Sequence, residues 1–169
     1  QDEIMAVSLA KMNIRSTDTI LEIGGGTGKV SVAMAQRAKK VCSIDIRSEA
    51  VALATKTAKE AGIHNIEVAN AEATTFLHRE QVYDCAFLGG TKNLLAVLPA
   101  LAKKVRRTIV INAVLLSTVS DATNALQELG LFVEVVQVQV SLSHELAGSV
   151  MLKPIDPVWI IVGKGSACS

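Results

Sequence analysis

The sequence contains no long hydrophobic run, no close cysteine pair and no excess of either charge. No apolar stretch approaches the roughly 18 residues that a membrane-spanning helix needs, and nothing at the N-terminus resembles a signal peptide. The three cysteines are widely spaced and show no metal-ligand pattern. Seventeen basic and 16 acidic residues give a net charge of +1, which argues against a non-specific nucleic-acid binder. We therefore expect a cytoplasmic protein with no metal, membrane or nucleic-acid partner.

The rest of the sequence alternates strand-like and helix-like segments. Its 169 residues, half of them hydrophobic, suit a single domain over residues 1–169. Strand-like runs are found at 19–23, 41–45, 66–69, 84–88, 108–113, 132–140 and 158–163. Helix-like segments are found at 1–12, 30–38, 49–61, 72–78, 93–103 and 119–129, and Gly62 and Gly130 follow two of them as C-caps.

This alternation predicts an α/β fold with a mostly parallel sheet covered on both faces. The last two strands break the pattern because no helix lies between Val140 and Val158. The segment between them contains Gly148 and two prolines, which predicts a long hairpin. We therefore expect seven strands, with an antiparallel strand at the end of the sheet.

The most informative segment is a glycine turn that follows the first strand. Four glycines fall within residues 24–28, with Thr27 among them, and a helix follows. Such a turn brings bare backbone N–H groups and a helix N-terminus close to a ligand. The spacing does not fit the dinucleotide motif G-x-G-x-x-G, because Lys29 stands where the third glycine is required. It does not fit the phosphate-binding loop G-x-x-x-x-G-K-[ST] either, because Val30 stands where serine or threonine is required.

Acidic and polar residues follow the second and third strands. Asp45 ends the second strand, where a carboxylate can accept hydrogen bonds from two ribose hydroxyls. Ile46 would then pack on an adenine ring. Gly89 and Gly90 end the fourth strand, and ligands of open parallel sheets bind outside the carboxyl ends of strands.

The turn E-x-G-x-G-x-G resembles the first motif of the class I S-adenosylmethionine-dependent methyltransferases. The resemblance implies their three-layer Rossmann-like fold, and a cofactor whose amino-acid end lies in the turn and whose product is S-adenosylhomocysteine. It implies that Asn70 and Ala71 line the adenine pocket and that Glu22 orients the turn. The implied cofactor-binding residues are Gly24, Gly25, Gly26, Thr27, Gly28, Asp45, Ile46, Asn70, Ala71 and Gly89.

A closer resemblance extends over nearly the whole chain. It rests on residues 3–12, the glycine turn, and residues 87–93, 110–114 and 143–157. Together they resemble the decarboxylating precorrin methyltransferases of cobalamin biosynthesis. This implies methylation of carbon 15 of cobalt-precorrin-6B, loss of carbon dioxide from the ring C acetate, and a homotetramer. That family usually has a Gly-[IV]-Pro lead before the first helix; it is absent here, so we expect part of the site to be missing from these residues.

A tetrapyrrole with many carboxylates needs some basic and hydrogen-bonding groups in its cleft. Gly90, Lys92, Asn112 and Lys153 are the candidate substrate-binding residues. His144 and Asn112 are the candidates for a catalytic role, His144 as a general acid or base. No metal and no covalent nucleophile is required.

Two other functions stay open at this point. A tRNA adenosine methyltransferase needs a broad basic face, and only residues 103–107 supply one. A non-catalytic subunit that binds S-adenosylmethionine is disfavoured by the intact turn and Asp45. The motif [DN]-P-P-[FY] of amine methyltransferases is missing, and no cysteine follows a proline. Cys42 and Cys85 are expected in the core, and Cys168 in a loose tail.

Overall fold

The computed structural model describes residues 2–90 and 92–167. Cys168, and Thr91 of the segment 87–93, lie outside the described residues. The helices found in the described ranges are α1 (Asp2–Met12), α2 (Lys29–Ala35), α3 (Ser48–Glu60), α4 (Ala73–Phe76), α5 (Leu94–Ala102) and α6 (Leu116–Glu128). The strands are β1 (Thr19–Ile23), β2 (Lys40–Asp45), β3 (Ile66–Asn70), β4 (Tyr83–Leu88), β5 (Val105–Ala113), β6 (Phe132–Val138), β7 (Ser141–Leu146), β8 (Ser149–Pro154) and β9 (Val158–Lys164).

Seven strands form one sheet in the order β3-β2-β1-β4-β5-β9-β6. Strands β1 to β5 pair in parallel, whereas β9 is antiparallel to both of its neighbours. The prediction of a mostly parallel α/β sheet with a terminal antiparallel hairpin is confirmed. The antiparallel strand β9 is inserted between β5 and β6, so that β6 forms the edge.

Two apolar layers cover the sheet, because neighbouring residues of each strand point to opposite faces. Leu21 of β1 belongs to the layer formed with α4, α5 and α6, whereas Ile20 belongs to the layer formed with α1 and α2. Small residues at every fourth position, Ala50, Ala54 and Ala58, form the buried side of α3. The strands are therefore buried on both sides, as their apolar sequences predict.

The C-caps of two helices confirm the sequence prediction. Gly62 has a φ of +66° and its N–H donates to the carbonyl oxygen of Lys59, while the N–H of Ile63 donates to that of Ala58. Gly130 ends α6 with the same pair of hydrogen bonds. This Schellman geometry supplies partners for carbonyl groups that the helix itself leaves free.

The segment between β6 and β9, predicted as a long hairpin, contains two strands that the sequence analysis did not predict. Residues 141–154 form a two-stranded antiparallel ribbon, β7–β8, which is separate from the main sheet. Every residue of the two strands is exposed.

None of the helices in residues 2–90 and 92–167 is long and apolar enough to cross a membrane.

Candidate functional site

The glycine turn after β1 is held against α3 by a close backbone approach. A Cβ on Gly28 would lie only 2.7 Å from the Cα of Ala54, and Gly28 has a φ of +78°. The hydroxyl of Thr57 in α3 donates to the carbonyl oxygen of Thr27, 2.8 Å away. Gly28 therefore serves the packing of α2 against α3, and this packing fixes the shape of the turn.

Gly26 differs from the other glycines of the turn, because a side chain there would enter open space. Its φ is +53°, and a Cβ at this position would have the carbonyl oxygen of Gly24 as its nearest neighbour, at 3.9 Å. Its N–H donates to Oδ2 of Asp45 over 3.2 Å. The bare backbone of Gly26 is thus available to a ligand held between the turn and the end of β2.

A buried carboxyl group, Glu22, lies beneath the turn. It is 1% exposed and accepts hydrogen bonds from the hydroxyl groups of Ser31 in α2 and Ser43 in β2. Burial raises the pKa of Glu22, although both hydrogen bonds act to lower it. A side chain on Gly25 would collide with the hydroxyl of Ser43. Glu22 thus connects β1, β2 and α2, which is the position expected of a residue that orients the turn.

Asp45 at the end of β2 is 6% exposed, and its carboxylate accepts four hydrogen bonds. Its Oδ1 accepts from the backbone N–H and from Nε of Arg47, at 3.0 and 3.1 Å, and its Oδ2 accepts from Nη2 of Arg47 at 3.0 Å and from Gly26. Burial acts to raise the pKa of Asp45, but these hydrogen bonds outweigh it and the pKa lies below its ordinary value. Asp45 is therefore a carboxylate at neutral pH.

The last residue of β3 and the residue after it support Asp45 from the neighbouring strand. The side-chain nitrogen of Asn70 donates to the carbonyl oxygens of Asp45 and Ile46, each at 3.0 Å, and the N–H of Ala71 donates to that of Asp45 at 3.1 Å. These donors are used within the protein, so a ligand contact from Ala71 would need its carbonyl oxygen or side chain. Ile46 is 55% exposed and offers an apolar surface next to Asp45.

The end of β4 meets the glycine turn at backbone distance. The N–H groups of Gly89 and Gly90 both donate to the carbonyl oxygen of Ile23, at 3.0 and 3.2 Å. A Cβ on Gly24, which has a φ of +83°, would lie 2.6 Å from the nitrogen of Gly90. The missing side chains therefore let the turn and the end of β4 form one continuous surface. Lys92, two residues later, is exposed and does not line the cavity described next.

A cavity of about 670 Å³ opens at the carboxyl ends of β1, β4 and β5. One side of it is formed by the glycine turn, through Gly24, Gly25 and Thr27, and by Gly89. The opposite side is largely apolar and comes from the end of β5 and the base of the ribbon: Ala113, Val114, Leu115, Leu142 and Ile155. The cavity thus has the glycine turn on one side and an apolar wall on the other.

Charged residues also line this cavity. Asp2 of α1 and Asp156 after β8 carry negative charge, whereas Lys29 at the start of α2 is the only basic residue among the described residues that line it. The sequence analysis used Lys29 only to exclude the dinucleotide motif, and it did not single out Asp156. The signal for Lys29 was its place immediately after the turn. Nothing in the local sequence marks Asp156, since its place depends on the path of the ribbon.

Asn112, near the end of β5, lines the cavity. A residue of α1, Ser8, holds its side-chain amide in place. Nδ2 of Asn112 lies 3.0 Å from the hydroxyl oxygen of Ser8, which is fully buried. The Ser8 hydroxyl lies 2.9 Å from the carbonyl oxygen of Ile4 and 3.1 Å from Oδ1 of Asn112. Because α1 supplies this partner, it forms part of the site as well as of the core.

The two remaining candidates, His144 and Lys153, lie on the ribbon. His144 is in β7 and Lys153 in β8, and both are exposed. Only the base of the ribbon, through Leu142 and Ile155, lines the cavity. The structure therefore does not bring His144 or Lys153 together with Asn112, and their part in the site stays a prediction.

The basic cluster 103–107 is engaged within the protein. Three of its side chains reach acceptors on neighbouring segments: Lys104 contacts the carbonyl oxygen of Arg79 at 2.7 Å, Arg106 contacts Asp84 at 3.3 Å and Arg107 contacts Asp18 at 2.7 Å. The sequence feature that could have favoured an RNA partner thus has a structural use.

The two described cysteines, Cys42 and Cys85, are buried as predicted. Burial raises the pKa of Cys85 to about 11, which leaves its thiol unreactive at neutral pH. Among the described residues, no group of three His, Cys, Asp or Glu side chains could hold a metal ion.

A family model and two relatives with similar sequences indicate the family of this chain. A family model described as a precorrin methyltransferase domain matches residues 1–163. A relative from Methanosarcina acetivorans is 42% identical over 170 residues, covering 98% of this chain and 92% of its own. One from Methanosarcina mazei is 44% identical over 168 residues, covering 96% and 91%. Both are named probable cobalt-precorrin-6B C(15)-methyltransferase (decarboxylating).

Solved structures share the fold. A precorrin-8w decarboxylase from Methanobacterium thermoautotrophicum has a TM-score of 0.91 at 24% identity, over 95% of this chain and 89% of that protein. A precorrin-6y C5,15-methyltransferase from Geobacter metallireducens has a TM-score of 0.91 at 25% identity, over 97% and 89%. The three-layer methyltransferase fold and the resemblance drawn from the sequence are both confirmed, and the chain belongs to the precorrin methyltransferase family.

Proposed function

We propose that this chain, as one methyltransferase domain, uses S-adenosylmethionine to methylate carbon 15 of cobalt-precorrin-6B and removes carbon dioxide from the ring C acetate. The observation that carries the proposal is the cavity, which has the glycine turn on one side and an apolar wall on the other. A methyl donor at the turn and a large acceptor at the wall would share this space. The names of the two Methanosarcina relatives support the choice of substrate.

The residues around the turn fit the cofactor. Gly26 presents bare backbone beside open space, and Asp45 is an ionised acceptor suited to the two ribose hydroxyls. Ile46 offers an exposed apolar side chain for the adenine ring. When bound, S-adenosylmethionine supplies a methyl group on a positively charged sulfur. The remaining proposed cofactor-binding residues are Gly24, Gly25, Thr27, Gly28, Asn70, Ala71 and Gly89.

The opposite wall suits a flat macrocycle with carboxylates at its rim. Val114 and Leu115 are 59% and 62% exposed, although they are apolar and line the cavity. Covering them with an apolar ring system would exclude water from the space beside the turn. Lys29 offers a positive charge to a substrate carboxylate, whereas Asp2 and Asp156 repel one and so restrict how the macrocycle can lie.

The chain contributes mainly alignment, because an electron-rich macrocycle carbon can attack a methyl group on sulfur without a metal or a covalent enzyme intermediate. Asn112 is proposed as a positioning residue, since Ser8 holds its carboxamide in place and the group cannot titrate. His144 as a general acid or base, and Gly90, Lys92 and Lys153 as substrate-binding residues, are proposals that rest on the family resemblance.

A homotetramer in the cytoplasm is the proposed form of the protein. The ribbon β7–β8 supports self-association, because it exposes apolar side chains on both of its faces: Leu142, Leu146 and Met151 on one face, and Val150 and Leu152 on the other. Light scattering should give a mass of four chains for the wild type. The double variant Val150→Ser, Leu152→Ser should dissociate, and a monomeric wild type would refute the tetramer.

The direct test follows methyl transfer and decarboxylation in one reaction. The protein is incubated with cobalt-precorrin-6B and methyl-labelled S-adenosylmethionine, and label in the macrocycle and released carbon dioxide are measured together. We expect one methyl group and one carbon dioxide per macrocycle. A parallel reaction with tRNA serves as the alternative acceptor, and label found there but not in the macrocycle would contradict the proposal.

A further inference from the structure

The carboxylate of Asp45 has no acceptor position left for another donor. The two oxygens of a carboxylate offer about four lone-pair sites. In this structure four donors fill them: the N–H of Gly26 and three groups of Arg47, which are its backbone N–H, Nε and Nη2. A ribose diol can reach Asp45 only if some of these donors leave.

The four donors differ in how easily they can move. The N–H of Gly26 belongs to the glycine turn, and that of Arg47 belongs to the backbone just before α3. Both are fixed by the fold. The guanidinium of Arg47 ends a long side chain that is 65% exposed, and among the described residues only Asp45 accepts a hydrogen bond from it. The guanidinium is therefore the group that can leave.

The guanidinium also resembles a vicinal diol in the way it donates. Its Nε donates to Oδ1 and its Nη2 to Oδ2, so that two neighbouring donors reach the two oxygens of one carboxylate. Two neighbouring ribose hydroxyls would make the same pair of contacts. A guanidinium and a diol therefore compete for the same acceptors and cannot both hold them.

We propose that Arg47 is an internal competitor of the cofactor, whose guanidinium occupies the acceptors of Asp45 and is displaced by the ribose hydroxyls. This inference rests on the proposed function, because it assigns the ribose to Asp45. The guanidinium keeps the carboxylate ionised and correctly oriented until the diol replaces it. Arg47 thereby weakens cofactor binding and acts on affinity without contacting the transferred methyl group.

The test compares binding of S-adenosylhomocysteine to the wild type and to Arg47→Met by isothermal titration calorimetry. Methionine keeps an unbranched side chain and the backbone N–H but removes both competing donors. We expect the variant to bind about two- to fivefold more tightly, the range that corresponds to the strength of an exposed ion pair. Arg106→Met is the matched control, because it removes a guanidinium from another aspartate, Asp84. Asp84 lies near the amino end of β4, away from the carboxyl ends of the strands where the cavity opens. Its affinity should equal that of the wild type.

A second ligand separates competition from other effects. An analogue of S-adenosylhomocysteine without the two ribose hydroxyls should gain nothing from Arg47→Met, because it makes no demand on Asp45. An equal gain for this analogue, unchanged affinity for S-adenosylhomocysteine, or weaker binding by the variant would each overturn the inference while leaving the cofactor assignment in place. If neither protein binds S-adenosylhomocysteine, the proposed function fails and the inference fails with it.

Discussion

Replacing Gly26 by alanine tests whether the glycine turn holds the cofactor. A Cβ at this position would meet no protein atom closer than 3.9 Å, so the folded structure has room for the methyl group. The φ of +53° still costs an alanine about 1–2 kcal/mol of folding free energy. For a domain of this size, that loss corresponds to a melting temperature lower by about 2–8 °C. The variant should therefore be folded at 25 °C.

Binding should suffer much more than folding. The added methyl group would stand where the cofactor lies against bare backbone, and overpacking of this kind costs about 1–3 kcal/mol. Affinity for S-adenosylhomocysteine should accordingly fall by roughly five- to 150-fold. Calorimetric titration measures this change, and thermal unfolding of the same sample measures stability.

Two other glycines provide matched controls. Gly62→Ala places a methyl group at a φ of +66° with no atom within 4 Å, so it should lose the same stability and keep full affinity. Gly28→Ala would bring a Cβ to 2.7 Å from the Cα of Ala54, so it should lose more stability than either. A folded Gly26→Ala protein that binds like the wild type would show that the cofactor does not lie against this residue.

Three further predictions concern carboxyl groups. Asp45→Ala should weaken binding of S-adenosylhomocysteine by about 1.5–3 kcal/mol, the scale of hydrogen bonds to a charged group, and unchanged calorimetric affinity would remove the ribose assignment. Glu22 has a raised pKa, so it ionises at lower pH in the unfolded chain than in the folded one, and the free energy of unfolding falls as pH rises above the ordinary value of 4.5. Glu22→Gln should remove this part of the pH dependence, measured by urea unfolding between pH 4 and 8. An unaltered pH dependence would argue against a buried, protonated Glu22. Asp18 is 2% exposed and paired with Arg107, so Asp18→Asn should cost roughly 3 kcal/mol of unfolding free energy at pH 7. Because hydrogen bonds from Arg107 lower the pKa of Asp18 against the effect of burial, this loss should shrink as pH falls below 3.8, and a loss independent of pH would contradict the ion pair.

The fold was largely predictable because its determinants are local. Alternating β-branched strands and helices specify a parallel sheet, and Gly62 and Gly130 mark helix ends by a backbone conformation that glycine adopts readily. The start of α6 was predicted three residues late, at Val119 instead of Leu116. Leu115 and Leu116 are apolar yet 62% and 69% exposed, so their pattern does not show the helical period.

The candidate site was predictable only where its residues follow directly from the sequence. The glycine turn and Asp45 each end a strand, and parallel strands bring such residues to one edge of the sheet. Gly148 and the two prolines predicted a hairpin between β6 and β9, but the two strands of the ribbon were not predicted, because they do not bury an apolar face. Asp156 has a proposed role that depends on the path of the ribbon, which no spacing in the sequence encodes. Arg47 lies only two residues after Asp45, so its proposed role could have been inferred from that spacing.

The close approach of Gly28 to Ala54 extends the constraints on the shape of the glycine turn to a residue in the next helix. Ala54 lies on the buried side of α3, one helix away from the turn, and any larger side chain there would push α2 outward. Its mutational tolerance is therefore set by the shape of the turn as well as by the core. In a library of variants selected for activity, Ala54 should resist enlargement as strictly as the glycines themselves.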